Sequence, residues 1–340
     1  GDIDGNIAIG NSAFVGGDLA GNDRQVQDNV AIGRNALTST SDNAQTGTIA
    51  IGGSALTSLT SGAGNIAIGK GSLVDLTTGA SNIAIGEDAM HGNITGHSNV
   101  AIGYGAMDDM DAGSTAADSD HNVAIGVHAM GGTWTNVKSE QNVAIGSNVM
   151  AAVLNGANYN TAVGFNALNA VTTADNNTAL GWYAGINMTT GVSNTLLGAN
   201  AGGVLTTSSY NVLIGNGAGA AINSTDADGT IAIGYNAGTA ITEGRYNTFI
   251  GYQAGLANTT GDANTVLGYN AFDSATQLDF NTAIGYSALG AMSGSAGTDT
   301  YNTAVGYIAG TAITTGTHNA ILGANSGNSI NTGQYNTIMG

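Results

Sequence analysis

A short apolar run, opened by Asn and closed by Gly, recurs along the whole chain; Asn142-Val143-Ala144-Ile145-Gly146 is one copy and Asn247-Thr248-Phe249-Ile250-Gly251 another. With the closing glycine as position zero, copies fall at Gly10, Gly33, Gly52, Gly69, Gly86, Gly103, Gly126, Gly146, Gly164 and Gly181. They continue at Gly198, Gly215, Gly234, Gly251, Gly268, Gly285, Gly306, Gly323 and Gly340. Eleven of the eighteen intervals are the 17-residue step seen from Gly251 to Gly268, and the others are longer by one to six, so the chain is an array of one small unit. Position −1 is Ile, Val, Leu or Met in all nineteen copies, and −3 is Ile, Val or Thr in all but Ala320. Position −2 is Ala in most. Alternate strand residues face opposite ways, so −3 and −1 share one face and −2 lies on the other. Both faces are apolar or small, as in a strand buried on two sides. One face can fill the interior of a coil. The other needs a second apolar partner, which a single thin coil does not supply.

The remaining positions predict how the coil closes. Gly at zero turns the chain without steric cost, and Ala at +3 in fifteen of eighteen cases implies a tight inward contact. A second short strand is expected at +5 to +8, as in Thr239-Ala240-Ile241-Thr242, and a second turn at the +10 glycines, among them Gly62, Gly191, Gly244 and Gly261. Two strands and two turns per 17-residue step make one coil of a β-solenoid. Gly, Asn, Thr and Ser saturate every window, so no helical stripe survives. Position −4 is Asn in seventeen of nineteen copies, with Thr48 and Thr230 the exceptions. Stacked coils place these amides about 4.8 Å apart, and Asn99, Asn142, Asn194, Asn247, Asn264 and Asn281 are expected to form a structural ladder that fixes register.

The pattern changes once. Residues 1–155 favour Ile-Ala-Ile-Gly with Leu or Met at +4, and residues 156–340 favour Asn-Thr-x-x-Gly with Gly at +4. They read as two sub-arrays of one continuous solenoid without a linker. Eleven of the twelve Tyr lie after residue 156, concentrated at +1 and −5. The longer intervals all expand between +4 and the next −4, which puts the insertions Phe14–Asp28, Met107–His121, Met130–Gln141 and Leu289–Tyr301 at one edge of the stack. The pattern is already running at Asn6 and still running at Gly340, and the expectation is a segment of a longer protein.

Composition narrows the function classes. Charged residues are 8% and hydrophobic residues 42%, so the chain can bury surface, and with 55 Gly but no Pro it is not collagen. Only five basic side chains stand against a net charge of −18, which disfavours nucleic acid and anionic membrane as partners. There is no Cys, hence no disulfide or thiolate metal site. No nucleophile elbow, phosphate loop or paired catalytic carboxylates stand out, and the chain is not expected to be an enzyme. The column Tyr235, Tyr252, Tyr269, Tyr286 and Tyr307 is a candidate contact surface for sugar rings, although a packing ladder is the favoured reading. Trp134 is a further candidate surface contact. Asp108, Asp109, Asp111, Asp118 and Asp120 could collect Ca²⁺, but their spacing fits no calcium-binding loop and a solvated acidic loop is favoured. No other cofactor is expected. The five His show no metal-ligand spacing.

Asn99-Val100-Ala101-Ile102-Gly103 and Asn142-Val143-Ala144-Ile145-Gly146-Ser147-Asn148 resemble the head repeat of trimeric autotransporter adhesins, the YadA-like β-roll. The stretch Asn247 to Gly255, with Thr259-Thr260-Gly261, is similar to repeats in phage tail fibres and related surface fibres. The resemblance implies that the array, about nineteen 17-residue coils by its repeat count, is a left-handed parallel β-roll with three chains packed around a common axis. It further implies an extracellular rigid rod, on a virion or bacterial surface, whose partners are copies of itself and a cell-surface glycan or protein receptor. No fixed motif in that family carries binding residues over to this chain, and this chain departs from the adhesin head in its longer repeat.

Overall fold

The computed structural model describes residues 5–15, 26–39, 45–110, 119–135, 137–294 and 298–340. The protein is an all-β, parallel β-solenoid built mostly of 17-residue coils. Among the described residues there is no α-helix, only the 3-10 turn Thr225–Ala227. Its contacts divide it into two units, Gly1–Asp175 and Asn176–Gly340.

In the first unit each coil contributes one three-residue strand at −3 to −1, from Ile7–Ile9 and Val30–Ile32 through Val143–Ile145 to Thr161–Val163. Successive strands pair in parallel and in register, so that Val143, Ala144 and Ile145 oppose Val123, Ala124 and Ile125. In the second unit the strands run from Thr178–Leu180 to Thr337–Met339, with Thr248, Phe249 and Ile250 opposite Thr265, Val266 and Leu267. Equivalent residues therefore form columns. The ladder is ordinary: the −3 amide donates to the −4 carbonyl one coil on (Val143 to Asn160, 2.8 Å), and the Gly zero amide to the preceding −1 carbonyl (Gly146 to Ile125, 2.7 Å).

Three further columns adopt positive φ in every described copy. They are −5 (49° to 78°), +2 (48° to 68°) and +4 (48° to 72°). These left-handed residues swing their amides out of the coil plane, so each turn is bonded to its neighbours as a strand would be. In the coil of Gly251, Gln253 donates back to Tyr235 (2.9 Å) and Gly255 donates forward to Ala271 (3.0 Å). The Gly zero column combines φ of 129° to 150° with close approach: a Cβ there would press on the carbonyl of the glycine one coil on. Only Gly fits on both counts.

Two expectations for the coil are corrected. The segment at +5 to +8 is not a strand: Thr239 and Ala240 lie in a turn and Ile241 and Thr242 follow without strand pairing, because the left-handed residues at +2 and +4 curl the chain, and only the +7 side chain points inward. The short extra pairings sit just before the −5 turn, Val26–Gln27 with Gln45–Thr46 and Leu278–Asp279 with Thr298–Asp299. Among the described residues most +10 glycines, Gly62 and Gly156 excepted, are not left-handed turn residues. They are Gly because a Cβ would meet a carbonyl of the next coil, as at Gly244 against Gly261 (2.5 Å).

The interior of each unit is a column of side chains from −2, +3, +4 and +7, nearly all fully buried. The first unit sets Ala at −2 against Leu or Met at +4, as with Ala84 and Met90. Four coils of the second unit instead enlarge −2 to Leu196, Leu213, Phe249 or Ile321 and set Gly at +4. A Cβ on Gly255 would lie 2.7 Å from the Phe249 ring, and one on Gly238 would lie 2.7 Å from Ile241 and 2.9 Å from Phe249. Close-packed interiors conserve volume, and these four coils make such an exchange.

Candidate functional site

With −2 inside, the −3 and −1 side chains face outward along every strand. Leu180 is 46% exposed, Leu197 40% and Leu267 46%, whereas their −2 neighbours Ala179, Leu196 and Val266 are 0% exposed. The −3 column beside them is mainly Val or Ile in the first unit and mainly Thr in the second. Each unit thus carries an uncharged sheet face of aliphatic and Thr side chains one column apart.

Across the Gly turn from −1 lies the aromatic +1 column. Tyr235, Tyr252, Tyr269, Tyr286 and Tyr307 stack with successive ring-centroid spacings of 5.2, 4.8, 5.2 and 5.2 Å and interplanar angles of 14°, 7°, 2° and 24°. All five are between 41% and 53% exposed. Rings so nearly parallel turn their faces to one another and their edges and hydroxyls to solvent. That geometry favours a packing ladder over a sugar platform, which needs faces turned outward. A second aromatic column stands at −5, where Phe280, Tyr301, His318 and Tyr335 follow one another at 5.2, 5.1 and 4.7 Å. Trp134 is corrected as a surface contact: it is 0% exposed, inside the coil, with its indole N–H donating to the Met130 carbonyl (3.1 Å). The insertion that holds it turns inward here because a bulky apolar ring occupies the interior place that Leu76 takes elsewhere.

The acidic candidates are dispersed among turn contacts. Asp111 and Asp118 lie outside the described residues. Asp120 Oδ1 accepts from the His97 amide (2.6 Å), and Asp109 Oδ2 accepts from Thr133 Oγ1 (2.6 Å). Asp108 lines an open concavity of about 360 Å³ with Asp88, His91 and Asp109. Burial holds the Asp108 carboxyl above the usual carboxylate range, against the opposing pull of His128. Among the described residues no group of three His, Cys, Asp or Glu is arranged to hold a metal ion. His128 packs edge-on against Tyr104, and His97 Nδ1 accepts from the Ala80 amide (3.0 Å).

Within each unit the Asn column is bonded from coil to coil where Asn follows Asn. Asn142 donates through its amide N (3.0 Å) and Nδ2 (3.1 Å) to Asn122 Oδ1, and Nδ2 also reaches the Ala157 carbonyl (2.8 Å). Asn194 does the same to Asn177, Asn264 to Asn247, and Asn281 to Asn264, while Asn99 accepts from Asn122. Sequence reasoning missed a second ladder at −6, where a side chain accepts the main-chain N–H of the −6 residue one coil before. Asn158 accepts from Glu140 (2.8 Å), Asp175 from Asn158 (2.7 Å), Asp262 from Arg245 (2.9 Å) and Asp279 from Asp262 (2.7 Å). Asp, Asn, Ser and His all serve, so the column shows in sequence only as a run of acceptors, not as one residue type. Asp228 belongs to it too, accepting from Ser209 (2.6 Å).

No family model, no curated protein and no solved structure matches this chain. Among the described residues, no helix is long and apolar enough to cross a membrane.

Proposed function

We propose that the chain is a segment of a structural, adhesive fibre in which three copies pack their outward sheet faces together. The observation that carries this reading is the −3/−1 face, aliphatic or Thr along both units and half-exposed in the single chain. Fully burying a Leu or Ile is worth roughly 1.5–3 kcal/mol, so covering one already half-buried adds about 1 kcal/mol, and repetition of the face along the array multiplies that term. A self-complementary face on every copy suits a symmetric assembly. The number three and the left hand rest on the resemblance to trimeric adhesin heads and tail fibres, and the count of about nineteen coils on the nineteen repeat copies in the sequence. The fibre would hold the insertion loops away from an anchoring body and present repeated weak contacts to a cell-surface glycan or protein, gaining avidity without a strong pocket. Its place would be extracellular, on a virion or a bacterial surface. A bacterial adhesin head or polymerising matrix fibre is the second reading, since both would use the same face. Catalysis plays no part in either.

Light scattering tests the assembly. A species near three times the chain mass of 33.4 kDa is expected. The triple variant Ile233→Lys, Ile250→Lys, Leu267→Lys should shift it to monomer with an unchanged far-UV spectrum. A wild-type monomer at micromolar concentration would sink the proposal.

A further inference from the structure

We infer that the +1 tyrosine column is an oxidative cross-linking site, where neighbouring coils of one chain become joined by dityrosine. Two features of the column support this. Its five tyrosines are consecutive, one per coil, with ring centroids 4.8 to 5.2 Å apart and each ring solvent-accessible. Parallel in-register stacking keeps each ortho carbon beside its counterpart on the next ring, and exposed rings are free to tilt into bonding distance. The −5 column is the internal contrast. Its tyrosines are separated by Ala263, Phe280 and His318, so no two stand one coil apart from Tyr246 to Tyr335.

The oxidant is a heme peroxidase supplied with hydrogen peroxide. Each of two phenols gives up one electron and one proton, and the peroxide is reduced to two waters. The two phenoxyl radicals couple through their ortho carbons, forming one C–C bond. The hydrogens on those carbons then move to the phenol oxygens, which restores both aromatic rings. Two tyrosines and one peroxide thus become one dityrosine and two waters. The link is covalent between coils that are otherwise held only by hydrogen bonds and packing, and it resists local opening of the stack. It operates within a single chain and does not depend on self-association.

The test treats the whole chain with peroxidase and peroxide and reads dityrosine fluorescence, chain mass under denaturing conditions and peptide mass maps. Wild type should gain dityrosine while keeping single-chain mass, with linked peptides joining Tyr235 to Tyr252, Tyr252 to Tyr269, Tyr269 to Tyr286 or Tyr286 to Tyr307. The double variant Tyr252→Phe, Tyr286→Phe keeps every ring in the stack but leaves no adjacent tyrosines in the column. Its fluorescence should fall to background. The double variant Tyr246→Phe, Tyr335→Phe, which removes as many tyrosines from the −5 column, should match wild type. The inference is overturned by no dityrosine under conditions that couple N-acetyltyrosine, by links that survive Tyr252→Phe, Tyr286→Phe, or by links found only between chains.

Discussion

At the residue scale the fold depends on a few buried polar groups whose bonds are either complete or visibly broken. Asn264 shows the complete case, accepting two bonds from Asn281 while donating to Asn247 and to the Leu278 carbonyl. Thr48 and Thr230 show the broken one. Each donates its amide N to the Asn before it, but each Oγ1 is buried without a partner. Restoring the amide through Thr48→Asn or Thr230→Asn should stabilise the protein by about 1 kcal/mol each, read as a raised denaturation midpoint. No gain at either position would mean that the ladder geometry is already relaxed there. Asn258 is a different defect. It occupies the interior +7 place that holds Ile241 and Ile313 in other coils, fully buried, with neither side-chain atom bonded. Asn258→Leu replaces that unpaired amide with packing, and an increase of about 1–3 kcal/mol in unfolding free energy is expected; a loss would show that the amide is satisfied by bound water.

At the scale of one coil, shape is set by the left-handed columns and by a volume exchange across the interior. Phe249 and Gly255 are the clearest pair, because the ring occupies the space a +4 side chain takes in the first unit. Gly255→Leu alone should overpack the coil at a loss of about 1–3 kcal/mol, and Phe249→Ala alone should leave a cavity at a loss of about 3–5 kcal/mol. Together they recreate the Ala-and-Leu arrangement seen with Ala50 and Leu56. The double variant should therefore be more stable than the sum of the two losses, by a coupling of about 2 kcal/mol. Additive losses in a double-mutant cycle would refute the exchange. The positive φ at +4 does not stand in the way, since Leu37, Leu56 and Leu73 adopt it at 49° to 52°.

At the scale of the whole molecule, charge works against the fold at neutral pH. Net charge is −18, and the Asp108, Asp273 and Asp279 carboxyls are each held above the usual range, burial being the largest cause. Close carboxylates add to it at Asp279, where Asp262 and Asp299 push the same way. A carboxyl with a raised folded pKa binds its proton more tightly in the folded protein. Stability from these groups therefore grows as pH falls through their raised folded values, and the gain is complete below the ordinary Asp value of about 3.9. Relief of general repulsion has the same sign. Chemical denaturation should accordingly show greater stability at about pH 5 than at neutral pH. Asp279→Asn, which keeps the oxygen that accepts the Asp262 amide, should raise stability at neutral pH and flatten the dependence. A fall in stability over that interval would contradict the burial of these groups.

The repeat length, the strand positions, the inward Ala at +3 and the Asn column were all legible in sequence, because each is a fixed residue type at a fixed offset and stacking turns offsets into columns. The −6 acceptors were not legible as a class, since four chemically different side chains make the same bond. Nor were the left-handed columns, where Leu and Met stand in for the Gly or Asn that usually announces such a turn. The sequence also left open which strand face is interior: Ala at −2 and Ile or Thr at −3 and −1 are all compatible with burial. Only the closed coil decided it. Gly at zero brings +3, +4 and +7 against the −2 side of the strand, and the narrow space left there admits Ala beside Leu, or Phe beside Gly. The branched −3 and −1 side chains are turned outward, onto the face from which the assembly is proposed.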